Sequence, residues 1–95
     1  MVTALVLLDV EREKINAVAE AINAIPGVTE VYSVAGRCDL VAIIRVKENE
    51  QLAQVVTDRI RGINGILRSE TLIAFRAYSN YDLEGAFSIG LEPRR

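Results

Sequence analysis

The chain has no histidine and no tryptophan, one cysteine, two prolines, and aromatic side chains at only 5% of its 95 positions. Each scarcity excludes something. Without histidine the usual general base is missing. With a lone thiol besides, a zinc site lacks its ordinary ligands, and no metal or cofactor is expected. One cysteine forms no internal disulfide, and an isolated thiol suits a reducing cytoplasm. No long hydrophobic run is present. The opening apolar stretch ends at Asp9, has no basic leader, and is too short for a signal peptide or a membrane span. Eleven basic against thirteen acidic residues give a net charge of -2. A duplex nucleic-acid surface would need a concentrated positive face instead. No phosphate-loop or dinucleotide fingerprint occurs.

What is present is aliphatic: 51% of the residues are apolar. A domain this small hides only about 60–65% of its extended surface, so that much apolar material points to self-association. Both alternating sets of Val2 to Leu8 are apolar, the pattern of a strand buried on both faces. Ile15, Val18, Ala19, Ile22 and Ile25 then repeat at helical spacing, with Glu11 and Glu13 near the positive end and Pro26-Gly27 as the stop. Val28 to Val34 reads as a second strand, with Thr29, Glu30 and Ser33 as its polar set. Leu40 to Val46 is a third, again apolar on both faces until Arg45 and Lys47. Asn49 is placed to cap a second helix. That helix carries Leu52, Val55, Val56, Ile60 and Ile63, with Gly62 and Gly65 at its exit. Arg68 to Tyr78 is the fourth strand.

The order β-α-β-β-α-β predicts an α+β, ferredoxin-like fold, with antiparallel sheet order 4-1-3-2 and two helices on one face. The most apolar strands, one and three, fall at its centre. Two helices cover only one face of that sheet, so the opposite face is expected to meet another subunit, with Tyr32 or Phe75 joining it. Residues 1–78 form the domain. Residues 79–95 are expected to be a packed extension, on the domain or on a neighbouring subunit, with one helical turn near Asp82 to Phe87.

Chemistry-bearing residues concentrate in Val34-Ala35-Gly36-Arg37-Cys38-Asp39, between strands two and three. Gly36 reads either as a turn residue or as a close backbone approach to a ligand. Asp39 reads either as a turn cap or as the acceptor of an ammonium group. Cys38 beside Asp39 is a poor nucleophile, because an adjacent carboxylate disfavours the thiolate. Asp9 and Asp39 fall side by side where strand one ends and its neighbour begins. A polar cluster is expected there, with Asp9 solvated or capping the helix rather than binding a metal. An RNA-recognition domain has the same strand order but stacks bases on aromatics of its central strands. Strands one and three contain none.

Four pieces together carry a family resemblance: Ile25-Pro26-Gly27-Val28, Val34 to Asp39, Ile63-Asn64-Gly65-Ile66, and Arg68-Ser69-Glu70-Thr71. Over residues 1 to about 78 the chain resembles the effector-binding and oligomerisation (RAM) domain of the Lrp/AsnC regulators, in its stand-alone version without a helix-turn-helix segment. The resemblance implies sheet-joined dimers, often a ring of four dimers. It also implies a free amino acid bound between dimers near Gly36, Arg37, Cys38 and Asp39, with Thr71 carried over as a further contact. Cys38 stands where family members commonly have an aromatic. The function so implied is a non-enzymatic amino-acid-binding and oligomerisation module, acting in transcriptional or metabolic regulation, alone or with full-length regulators. With the acidic balance and the short apolar run, no direct contact with DNA and no membrane are expected. The alternatives are a purely structural oligomeriser, an ACT-type amino-acid sensor and, furthest away, a small dimeric α+β barrel enzyme.

Overall fold

The computed structural model describes residues 1–80. The expected helical turn near Asp82 to Phe87 and the packing of the tail lie outside them. The elements are β1 (Val2–Val10), a 3-10 turn (Arg12–Lys14), α1 (Ile15–Asn23), β2 (Val28–Ser33), β3 (Leu40–Val46), α2 (Asn49–Ala53) continuing as a π-helical segment (Gln54–Ile60), and β4 (Ile66–Ile73). The four strands form one sheet in the order β2-β3-β1-β4, antiparallel throughout. This is the expected order read from the other edge. Among the described residues no helix is long and apolar enough to cross a membrane.

Strand periodicity sorts the core. On one face of the central pair, Ala4, Val6, Leu8, Leu40, Ala42 and Ile44 are fully buried. They pack against Val18 and Ile22 of α1 and against Leu52, Val55 and Ile60. Full burial of a Leu, Ile or Val side chain is worth about 1.5–3 kcal/mol, so this layer dominates stability. No polar or charged side chain is buried in it among the described residues.

Several boundaries differ from the sequence expectation. β4 begins at Ile66 and ends at Ile73, earlier than the expected 68–78. A bulge lets Val10 pair with Ile66 after Asp9 pairs with Arg68. At the far end Ala4 pairs with Ile73 and the Ala74 N–H donates to the Thr3 carbonyl at 2.9 Å, where β1 itself runs out. Phe75 lies past the sheet and is fully exposed, so it does not join the open face. The N-cap of α2 is Glu48 rather than Asn49, in a capping box with Gln51. Gln51 Oε1 accepts the backbone N–H groups of Lys47 and Glu48, each at 3.0 Å. Such a box satisfies donors that would otherwise be orphaned at a helix start.

The two halves of the domain are joined by equivalent turns. Gly27 follows α1 and Gly65 follows α2, both at positive φ. The Gly27 carbonyl accepts the Arg45 N–H at 2.9 Å, and the Gly65 carbonyl accepts the Glu11 N–H at 2.9 Å. A Cβ on Gly27 would lie 2.9 Å from Val46 and 3.3 Å from Val55; one on Gly65 would lie 2.9 Å from Lys14 and 3.2 Å from Val18. Each glycine is thus pressed against the half of the domain to which it does not belong.

Candidate functional site

The loop between β2 and β3 is pinned at its base. The Val34 N–H donates to the Asp39 carbonyl at 3.0 Å, and the Asp39 N–H donates to the Leu8 carbonyl at 2.9 Å. The Asp39 carboxylate accepts the Val10 N–H through Oδ2 at 2.9 Å. Asp39 therefore caps the exit of β1. One carboxylate oxygen makes that bond, and Asp39 as a whole remains partly exposed. Gly36 has φ +144, but a Cβ there would meet nothing within 4 Å. Its demand is conformational, not one of close packing.

Arg37 and Cys38 face β4. Arg37 Nη2 donates to Glu70 Oε1 at 2.6 Å. Arg68 Nε lies 3.2 Å from Asp9 Oδ2. Asp9 is thus the partner of an arginine. Both pairs are substantially exposed, where ion pairs contribute about 0–1 kcal/mol. Their arrangement matters more than their strength: Asp9, Arg68, Glu70 and Arg37 ring Leu7 and Cys38, leaving only about 10 Å³ between them. A space of that size holds about one water molecule and no larger ligand. Sequence reasoning missed Arg68 and Glu70. The signal was their two-residue spacing with Leu72, which puts all three on one face of β4.

Thr71 stands elsewhere. It pairs with Val6, whose side chain is in the helix-covered core. It lines a groove of about 430 Å³ between β4 and the second helix, with Leu52, Val56 and Ile73. Within one subunit, then, Arg37 to Asp39 come together with Asp9 and Glu70, and Thr71 does not join them.

The open face of the sheet links this loop to the rest of the molecule. Register places Glu30, Ile43, Leu5 and Leu72 in one row across the strands, and Tyr32, Val41, Leu7 and Glu70 in the next. The centre is aliphatic and partly buried, while Leu72 and Tyr32 are 44% and 50% exposed. Charges stand around it. Arg45 Nη1 donates to Thr29 Oγ1 at 3.1 Å and sits 3.7 Å from Glu30. The Tyr32 hydroxyl donates to Glu30 Oε2. That hydrogen bond and the charge of Glu30 hold the Tyr32 phenol above its ordinary pKa.

A ferredoxin-like sheet covered on one face, open and aliphatic on the other, with a charged loop at one end, places the chain in the class of ferredoxin-like α+β domains. The sequence profile of the Lrp/AsnC ligand-binding domain matches residues 3–83. The chain belongs to that family of transcription-regulator domains. TTHA0845 from Thermus thermophilus is 50% identical, with a TM-score of 0.78 over 82% of this chain and 98% of that one. The HTH-type transcriptional regulator PH1916 from Pyrococcus horikoshii is 41% identical over 58 residues, 61% of this chain and 39% of the regulator's length. The chain thus spans about two fifths of that relative. The regulator NMB0573 from Neisseria meningitidis, crystallised as a complex with L-Met, shares the fold at 12% identity and a TM-score of 0.71, over 79% of this chain and 50% of that one.

Proposed function

We propose that this chain is a cytoplasmic, non-enzymatic amino-acid-sensing module that acts through protein assembly. Two copies pair through their open sheet faces, and dimers join further, up to a ring of four. A free amino acid is held where the loop from Gly36 to Asp39 of one subunit meets a neighbour, with Thr71 contributed by that neighbour. Regulation runs through full-length family members that carry the DNA-contacting part, not through contact of this domain with DNA.

The observation that carries this reading is the division of the site. The loop residues enclose about 10 Å³ in a single subunit, and Thr71 lines a separate groove. A second copy is the simplest way to supply the missing walls. The amino acid bound to NMB0573 makes free amino acids the class to test first.

The test separates two jobs of Asp39. Asp39→Ala removes the acceptor of the Val10 N–H, and an unsatisfied, partly buried amide costs about 1–3 kcal/mol. Asp39→Asn keeps a carbonyl oxygen for that amide but removes the charge that would receive an ammonium. Calorimetry with the free amino acids, beside light scattering and thermal melting, is the measurement. We expect Asp39→Asn to melt near the parent and to bind at least tenfold more weakly. Parent-like affinity in Asp39→Asn makes the residue a cap only. If no amino acid binds the parent, the engaged state of Asp39 favours the second reading, a structural oligomeriser.

A further inference from the structure

At the end of the sheet away from this loop, a groove of about 410 Å³ opens between the α1–β2 turn, the end of β3 and the second helix. It is the size of a small-molecule site. Arg45, Lys47 and Arg59 line it, and among the described residues no carboxylate does. In a chain of net charge -2 this is a local reversal of sign. The Arg45 guanidinium is turned to Thr29 and Glu30 on the open face of the sheet, which leaves Lys47 and Arg59, among the described residues, as the free cations of the groove. Lys47 and Arg59 enter none of the ion pairs formed among the described residues.

The helix geometry adds donors. Gln54 and Arg59 both line the groove. Five residues apart on an α-helix, they would point about 140° away from each other. Here the segment Gln54–Ile60 is π-helical, and the Arg61 N–H reaches back to the Val56 carbonyl at 3.2 Å. The wider turn brings residues five apart onto one side. Such turns are rare and recur at functional sites. Gln51 also lines the groove. Its Oε1 is occupied by the Lys47 and Glu48 amides, so only its NH₂ is left to meet a ligand. The rest of the wall is apolar, from Pro26, Val46 and Val55. Gly27 keeps this floor tight and low, since a Cβ there would collide with Val46.

We propose that this groove binds a small phosphorylated molecule, its dianionic group held by Lys47 and Arg59 with the glutamine amides, and its apolar part resting on Val46 and Val55. Unopposed cations and amide donors suit a dianion, and a guanidinium matches phosphate oxygens in pairs. A free amino acid does not fit, because no carboxylate among the described residues lines the groove to receive its ammonium. The site is separate from the loop of Gly36 to Asp39 and does not depend on the function proposed for it.

The experiment is an amide-resonance titration of the full chain with inorganic phosphate, phenyl phosphate and leucine, at ionic strength matched with sodium chloride. Both phosphates are expected to shift the amides around Lys47, Gln54, Val55 and Arg59, phenyl phosphate at lower concentration, and leucine to leave them unmoved. Lys47→Gln/Arg59→Gln should weaken the phosphate effect at least tenfold with the melting temperature unchanged. Arg37→Gln, at the other end, should leave it intact. Shifts reproduced by chloride, equal shifts with leucine, an undiminished effect in the double variant, or its loss in Arg37→Gln would each overturn the assignment.

Discussion

The two faces of the sheet are made by the same strands and differ only in which alternate residues point which way. Toward the helices stand Ala4, Val6, Leu8, Leu40, Ala42 and Ile44, all fully buried. Away from them stand Leu5, Leu7, Val41 and Ile43, only partly buried, with Glu30, Arg45, Arg68 and Glu70 around them. The first is a core, with no polar side chain among its buried residues. The second has the anatomy of an interface, an apolar centre with a polar rim. The contrast separates two kinds of hydrophobicity in one strand. One set is satisfied within the subunit, and the other is left partly exposed.

The largest expected effect comes from the satisfied face. Leu8→Ala removes a fully buried side chain and should cost about 2–5 kcal/mol of unfolding free energy in a denaturant titration. A loss well under 1 kcal/mol would mean that the two faces do not differ as described. On the other face the sharper probe is a charge. Leu5→Asp should leave the fold in place by circular dichroism while shifting the light-scattering mass from at least a dimer to the 10.5 kDa subunit. An undisturbed oligomer in Leu5→Asp would move the interface elsewhere. The smallest effect concerns the rim. Glu30 stabilises the protonated Tyr32 phenol, raising its pKa. A group raised in the folded state contributes stability below its unfolded value, about 10 for tyrosine, and loses it as pH rises through the folded value. Ultraviolet titration should therefore place one tyrosine above the ordinary range. Glu30→Gln should bring it back, and an unchanged titration in that variant would break the link.

The sheet order was legible because strands one and three are largely apolar in both alternating sets, a pattern suited to central strands. Helix one was legible from the spacing of Ile15, Val18 and Ile22. The end of β4 was not, since Phe75 and Tyr78 suit a strand but the pairing with β1 stops where Ile73 meets Ala4. The cap of α2 was misplaced by one residue because Asn49 is the better intrinsic cap, whereas Gln51 instead secures Glu48 and Lys47. At the candidate site, sequence spacing brought Asp9 and Asp39 together correctly in space. It could not say that Asp39 would take the Val10 amide while Asp9 took Arg68, because that depends on the bulge between Asp9 and Val10. The π-helical turn was invisible for a related reason. Val55, Val56 and Ile60 satisfy an α-helical stripe equally well.

The paired turns at Gly27 and Gly65 have a consequence for how the domain comes apart. The first half lays its glycine on Val46 and Val55 of the second, and the second lays its glycine on Lys14 and Val18 of the first. They act as two reciprocal clasps, each fastened to the other's cloth. Loosening either half disturbs a contact of the other, so slow exchange of the buried amides in β1 and in β3 is expected to report one opening event rather than two, and separate exchange rates for the two strands would undo the clasp.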